Sequence, residues 1–134
     1  MPWERAKADV RAGKFDCVVG AYKEDAPDFI FPAVPQGRDQ LGFFRADGKS
    51  WHYDAASLSH ERLAVIGGYS YDDGGEIDRY IKQNERSPAI HVSKGDAPLA
   101  RNLRMRVAGR VDVTVSSVPV MMAKLNELGF ADKV

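Results

Sequence analysis

The residues best placed to do chemistry lie in L-A-V-I-G-G-Y-S-Y, Leu63 to Tyr71, where a short apolar run breaks into a Gly-Gly turn ahead of a helix. A strand feeding a glycine turn and a helix start leaves backbone N–H groups free at the C-terminal edge of a sheet. That is where α/β proteins hold small polar or anionic ligands. Gly68, Tyr69, Ser70 and Tyr71 are therefore candidate ligand-binding residues. A serine hydroxyl beside free N–H groups suits an anion or a carbonyl. Structural roles stand beside these: Gly67 and Gly68 serve the turn, and Tyr69 and Tyr71 are equally suited to a cleft or to packing against crossing strands.

Other reactive groupings are weaker. G-Y-S-Y-D, Gly68 to Asp72, is one residue short of the nucleophile elbow G-x-S-x-G, since Asp72 stands where the tight turn wants glycine. His52, His60 and His91 are scattered without ligand spacing, and no cysteine pair accompanies them. No metal site, catalytic residue or cofactor is expected. D-D-G-G-E, Asp72 to Glu76, is too short for a calcium loop and reads as a helix entry. The single Cys17, within F-D-C-V-V-G, is expected to be a small buried hydrophobe, and no internal disulfide can form.

Periodicity supplies the elements that position these groups. Pro2 to Ala12 reads as a helix with Trp3, Ala6 and Val10 on one face and Gly13 as its stop. Phe15 to Ala21 reads as an apolar strand, Asp28 to Pro35 as an extended edge or crossing segment, and Gln40 to Ala46 as another strand. Asp47 to Ser59 is loop-like. From Arg62 strands and helices alternate: strand Leu63 to Ile66, helix Glu76 to Asn84, strand Ala89 to Ser93, helix Ala97 to Ala108, strand Val111 to Val115, helix Val118 to Leu128. Asp96 is the expected N-cap of the second of these helices, with Leu99, Leu103 and Val107 as its buried stripe. Val118, Met121, Met122, Leu125 and Leu128 are expected to face inward on the last, which Gly129 ends. The alternation implies an α/β fold with a parallel-type sheet flanked by helices.

Nineteen basic residues balance nineteen acidic ones, so net charge gives no general field for nucleic acid or a membrane surface. With 44% apolar residues in 134, the chain has enough material for a real core. Arg101, Arg104, Arg106 and Arg110 decorate one helix without forming a single stripe, and a solvated face is expected. No window is apolar enough to span a membrane, and M-P-W-E-R-A-K lacks the apolar stretch of a signal peptide.

Five segments in order resemble bacterial extracellular solute-binding proteins of family 3, the amino-acid-binding type of ABC-transporter substrate-binding protein, with the type 2 periplasmic-binding-protein fold. They are W-E-R-A-K-A-D-V-R-A-G-K-F-D-C-V-V-G-A, D-F-I-F-P, L-A-V-I-G-G-Y-S-Y, L-A-R-N-L-R-M-R-V-A-G-R-V-D-V-T-V and A-K-L-N-E-L-G. The resemblance implies mostly one lobe plus a remnant of the other: residues 1–36 a helix–strand remnant of lobe one, 37–46 the crossing segment, and 47–134 lobe two. In such proteins a ligand carboxylate meets a lobe-one arginine and the turn matching Gly68 to Tyr71, and its ammonium meets an aspartate after the last strand. Here Ser116 and Ser117 stand at the aspartate position, and Tyr22 and Lys23 lie where the arginine is expected. Ser117 has a second role open to it, as the N-cap of the last helix. Asp112 matches a structural residue of the family.

With both charged anchors absent, the resemblance implies a less zwitterionic solute than a plain α-amino acid. It further implies a periplasmic location, an ABC-transporter permease or sensor as downstream partner, and lobe closure around a small polar solute with little chemistry. The lobe-one strand Phe15 to Ala21 would lack neighbours within the chain, so a homo-oligomer is expected to cover it. Two other functions fit the sequence: a truncated, non-binding homo-oligomeric interaction domain, and, more weakly, a small hydrolase centred on Ser70. Some relatives of the fold are dehydratases, so architecture alone does not decide.

Overall fold

A computed structural model describes residues 1–45 and 51–134. Its elements run α1 (Trp3–Arg11), β1 (Leu41–Arg45), α2 (Ala55–Leu58), β2 (Leu63–Ile66), α3 (Glu76–Asn84), β3 (Ile90–Ser93), α4 (Pro98–Val107), β4 (Val113–Ser117) and α5 (Val118–Leu128). The strands form one mixed sheet in the order β1-β4-β2-β3. β2 lies parallel to β3 and to β4, whereas β1 runs antiparallel to β4. The alternation from Arg62 onward thus builds the expected parallel unit, and the added edge strand makes the sheet mixed.

Alternate residues of each strand feed opposite faces. One face packs Leu63, Val65, Ile90, Val113 and Val115 against Leu58, Tyr71 and Ile77, with Tyr80 and Ile81 of α3 at its margin. Ile66 faces the other way and packs with Leu99, Leu103, Met121 and Leu125 from α4 and α5. Helices therefore cover both faces, which is what parallel strands with continuous apolar sequence require.

Several local expectations are corrected. Phe15 to Ala21 forms no strand. β-branched residues favour extended backbone, but a strand exists only through a partner, and no strand lies beside this segment among the described residues. Phe15 and Val19 are 50% and 70% exposed, and Cys17 is exposed rather than buried. Asp28 to Pro35 is likewise without strand structure. Ala46 and the A-D-G-K stretch lie outside the described residues; the rest of the expected loop contains α2, where Asp54 Oδ1 accepts from Ser57 N at 2.6 Å. β4 begins and ends two residues later than its apolar pattern suggests, and its end is extended because Ser116 and Ser117 pair with Gly42 and Leu41 of β1.

The helix ends and faces bring further differences. Ala97, not Asp96, caps α4, in a left-handed conformation (φ 46°) with no side-chain bond. Arg106 on that helix is buried, not solvated. Met122 of α5 is exposed, while Met121 and Leu125 are buried. On α1 the buried side chains are Lys7 and Asp9, with Trp3, Ala6 and Val10 only half-buried. No helix among the described residues is long and apolar enough to cross a membrane.

Candidate functional site

The turn after β2 is built by backbone that only certain residues adopt. Gly68 has φ +79°, and a Cβ there would overlap Glu4 Oε1. Asp73 and Gly74 follow with φ 53° and 78°, so left-handed backbone recurs just before α3. Asp72 completes the entry: its carboxylate accepts from Ile77 N at 2.8 Å and Asp78 N at 3.1 Å, capping the first turn of α3. D-D-G-G-E is thus a helix entry, as its spacing suggests.

Several N–H groups of this turn are already occupied, those of Ser70, Tyr71 and Gly74 by carboxylates. Asp78, one turn into α3, reaches back so that Oδ1 accepts from Tyr71 N at 2.8 Å and Oδ2 from Gly74 N at 2.9 Å. The Ser70 hydroxyl donates to Asp78 Oδ2 at 2.6 Å. Ser70 N donates to Asp25 Oδ1 at 2.7 Å, from a residue far away in sequence. Burial pushes the Asp78 carboxyl pKa up, but bonds from Ser70, Tyr71, Gly74 and Asp72 outweigh it and hold it below its ordinary value. The Ser70 and Tyr71 donors expected to meet a ligand anion thus meet two of the protein's own carboxylates instead.

Beside this turn lies an open cleft of about 300 Å³. The ends of β2 and β3 and the side of α3 form one wall, with Ile66, Gly67, Gly68, Tyr69, Ser70 and Val92 among its residues; Glu4, Lys7, Glu24 and Asp25 form the other. Ile81, Lys82 and Glu85 complete the α3 side. Lys7 is 5% exposed and fully engaged: its Nζ lies 3.0 Å from Glu4 Oε1 and donates to Asp25 O at 3.1 Å and Gly68 O at 3.3 Å. Trp3 meets the Tyr69 ring edge-on with centroids 5.3 Å apart. Glu24 N donates to Asp73 Oδ1 at 2.9 Å, a further tie between the N-terminal segment and the turn.

Of the residues expected from sequence, Gly68, Tyr69 and Ser70 line this cleft together. Tyr71 turns inward, 3% exposed, and its hydroxyl accepts from Ile66 N at 2.7 Å. Burial holds that phenol well above its usual pKa. Tyr22 and Lys23 do not line the cleft; Tyr22 is half-buried, and burial, then the carboxylates of Asp39 and Asp25, raise its pKa. Lys23 is exposed. Ser116 is buried in β4, also away from the cleft lining. Ser117 sits at the N-cap position of α5 yet donates its hydroxyl to Asp39 Oδ1 at 2.6 Å, neither capping the helix nor reaching the cleft lining. His52, His60 and His91 stand outside the lining as well.

Glu4, Lys7, Glu24, Asp25, Asp78, Lys82 and Glu85 escaped the sequence reading. For Asp78 a signal existed: a carboxylate one turn inside a helix that follows a glycine turn can fold back on the turn's N–H groups. Asp25 is a long-range partner with no local signature. Comparison with known proteins gives no matching family model, no similar curated protein and no similar solved structure.

Proposed function

We propose that this chain is a solute-binding module of the type 2 periplasmic-binding-protein architecture that takes a small polar solute into the cleft beside Gly68 to Ser70, in the service of ABC import or sensing. The observation that supports this best is the position of the cleft: it lies between segment 1–36 and the C-terminal ends of β2 and β3. Those are the two parts named above as the lobe-one remnant and lobe two. A volume of about 300 Å³ matches the lower end of small-molecule sites.

Charge narrows the solute. Glu4, Glu24, Asp25, Asp78 and Glu85 oppose only Lys7 and Lys82 along the lining, and Lys7 is spent on Glu4 and two carbonyls. With the Ser70 and Tyr71 N–H donors also taken, a ligand carboxylate would enter a field of its own sign. The solute therefore presents an ammonium or other cationic group to the cleft. Native mass spectrometry on freshly purified protein is the test, followed by thermal melts with putrescine and with succinate at equal ionic strength. A retained discrete mass and a rise in Tm with putrescine alone are expected. Stabilisation by succinate alone, or by neither with no retained mass, would overturn the reading.

A second reading, a homo-oligomeric interaction domain that binds no solute, draws support from a different observation. Phe15, Val19, Ile30 and Val34 are large apolar side chains at 50–100% exposure within one short stretch of chain. Bare oligomers in the same mass spectra would favour it. The hydrolase alternative draws little from the cleft: the Ser70 hydroxyl donates to Asp78, and none of the cleft-lining residues is a histidine.

A further inference from the structure

We infer that Asp25 is a built-in latch: its carboxylate takes the place expected for a ligand anion on Ser70 N–H, and so holds segment 1–36 docked as one wall of the open cleft without any solute. Two sets of observations carry this. The joint between the segment and the sheet is mainly polar. It consists of Asp25 Oδ1 on Ser70 N (2.7 Å), Lys7 Nζ on Gly68 O (3.3 Å) and on Asp25 O (3.1 Å), and Asp73 Oδ1 on Glu24 N (2.9 Å), with the Trp3–Tyr69 edge contact beside them.

Both hydrophobic clusters, by contrast, are built without any residue before Leu41. The segment thus adds no side chain to either cluster, and its one fully buried apolar residue is Ala26. A region held by few apolar contacts opens on its own, at a free energy below that of global unfolding. Asp25 is the pivot of the joint, because it is tied on both sides. Its Oδ2 accepts from Tyr22 N at 2.9 Å, which folds the segment's own Tyr22–Asp25 turn around the carboxylate, while Oδ1 reaches across to the β2–α3 turn. Asp78 secures Tyr71 N and Gly74 N from within the sheet unit, so those bonds survive when the segment leaves. Ser70 N–H is thus the donor that reports the latch.

Closure by an internal carboxylate has a consequence for the solute. A ligand entering the cleft meets a wall already docked, and its binding must include the cost of breaking the Asp25–Ser70 bond or must leave that bond in place. The latch itself rests on geometry and is tested without any ligand.

Amide hydrogen exchange followed by NMR on the full chain, comparing the parent with Asp25→Ala and Asp25→Asn, decides it. In Asp25→Ala the Ser70 amide should exchange about ten- to a hundredfold faster, the factor expected for a lost charge-assisted hydrogen bond. The amides of Ala6 and Ala12 should accelerate with it, since a nine-residue helix is marginal once undocked. Asp25→Asn should lie between. Leu63, Val113 and Tyr71 amides should keep the parent's rates within about twofold, a margin small against an opening of the kind described. Ser70 exchange unchanged in Asp25→Ala, or Leu63 and Val113 accelerating by the same factor, would overturn the latch, as would loss of sheet protection in both variants. A failure of solute binding in the mass spectra leaves these expectations standing, so the two proposals fail separately.

Discussion

Asp78 concentrates more bonding than any other single side chain in the turn, and it carries a clear pH signature. Its carboxylate takes the Ser70 hydroxyl and the N–H groups of Tyr71 and Gly74, with Asp72 N more distant at 3.4 Å. Asp78→Ala should cost about 2–3 kcal/mol in urea denaturation, since charged hydrogen bonds contribute roughly 1.5–3 kcal/mol and bonds to one group do not add. The folded-state pKa lies below the ordinary value, so the stabilisation is complete above the unfolded carboxylate's pKa, about 4, and is lost as pH falls through the folded value. Asp78→Asn should flatten that acid limb, whereas Ser70→Ala should keep most of it. An unchanged acid limb in Asp78→Asn would contradict this account. Gly68 offers a second test at the same scale. Gly68→Ala places a methyl on Glu4 Oε1 at a φ that L residues avoid, and should lower stability by about 1–2 kcal/mol. Adding Glu4→Ala should restore only the steric share, leaving the backbone strain behind.

The elements were legible where neighbours in sequence are also neighbours in space. α3 and α5 run over the residues their apolar spacing indicates, and β2 fills Leu63 to Ile66, because amphipathic period and turn chemistry are local signals. Phe15 to Ala21 shows the limit: a strand pattern records a preference for extended backbone and says nothing of whether a partner strand exists. The site divides in the same way. Gly68, Tyr69 and Ser70 could be read from their turn, while Asp25, Glu24 and Lys7 reach it only through long-range docking of the N-terminal segment, whose helix α1 has buried polar side chains where the sequence pattern points to an apolar face. Asp112 fits its structural expectation. It joins the entrances of β2 and β4, with Oδ2 accepting from Arg62 N at 2.9 Å and Oδ1 from Arg62 Nη2 at 2.7 Å. The Arg62 guanidinium holds the Asp112 carboxyl at about 2. This brace is half exposed to solvent, so Asp112→Asn should cost only about 1 kcal/mol. That loss should be present at neutral pH and vanish between about pH 4 and pH 2, where the parent's own carboxylate protonates. Equal urea midpoints for variant and parent at pH 7 would remove the brace from the account.

At the scale of the whole molecule, two surfaces are in tension. The C-terminal end of the sheet gathers acidic side chains around the cleft although the chain as a whole has no net charge. The N-terminal segment, which supplies one wall of that cleft, carries several large apolar side chains outward: Val19 is 70% exposed, Val34 78% and Ile30 100%. Isolated exposed apolar residues are ordinary in proteins, whereas several large ones on one segment are what the proposed self-contact would bury. The same stretch supplies Glu24 and Asp25 to the cleft, so burying its outer side against a second copy would stiffen the cleft's wall from behind. Sedimentation velocity should therefore show association that grows with protein concentration, and Val19→Ser with Ile30→Ser should abolish it while leaving the melting of the sheet unchanged. Both positions lie outside the two core clusters, so lost association in this variant cannot be ascribed to a damaged core. If the parent stays monomeric across the accessible concentration range, the exposed stretch is no self-contact, and the homo-oligomeric reading falls with it.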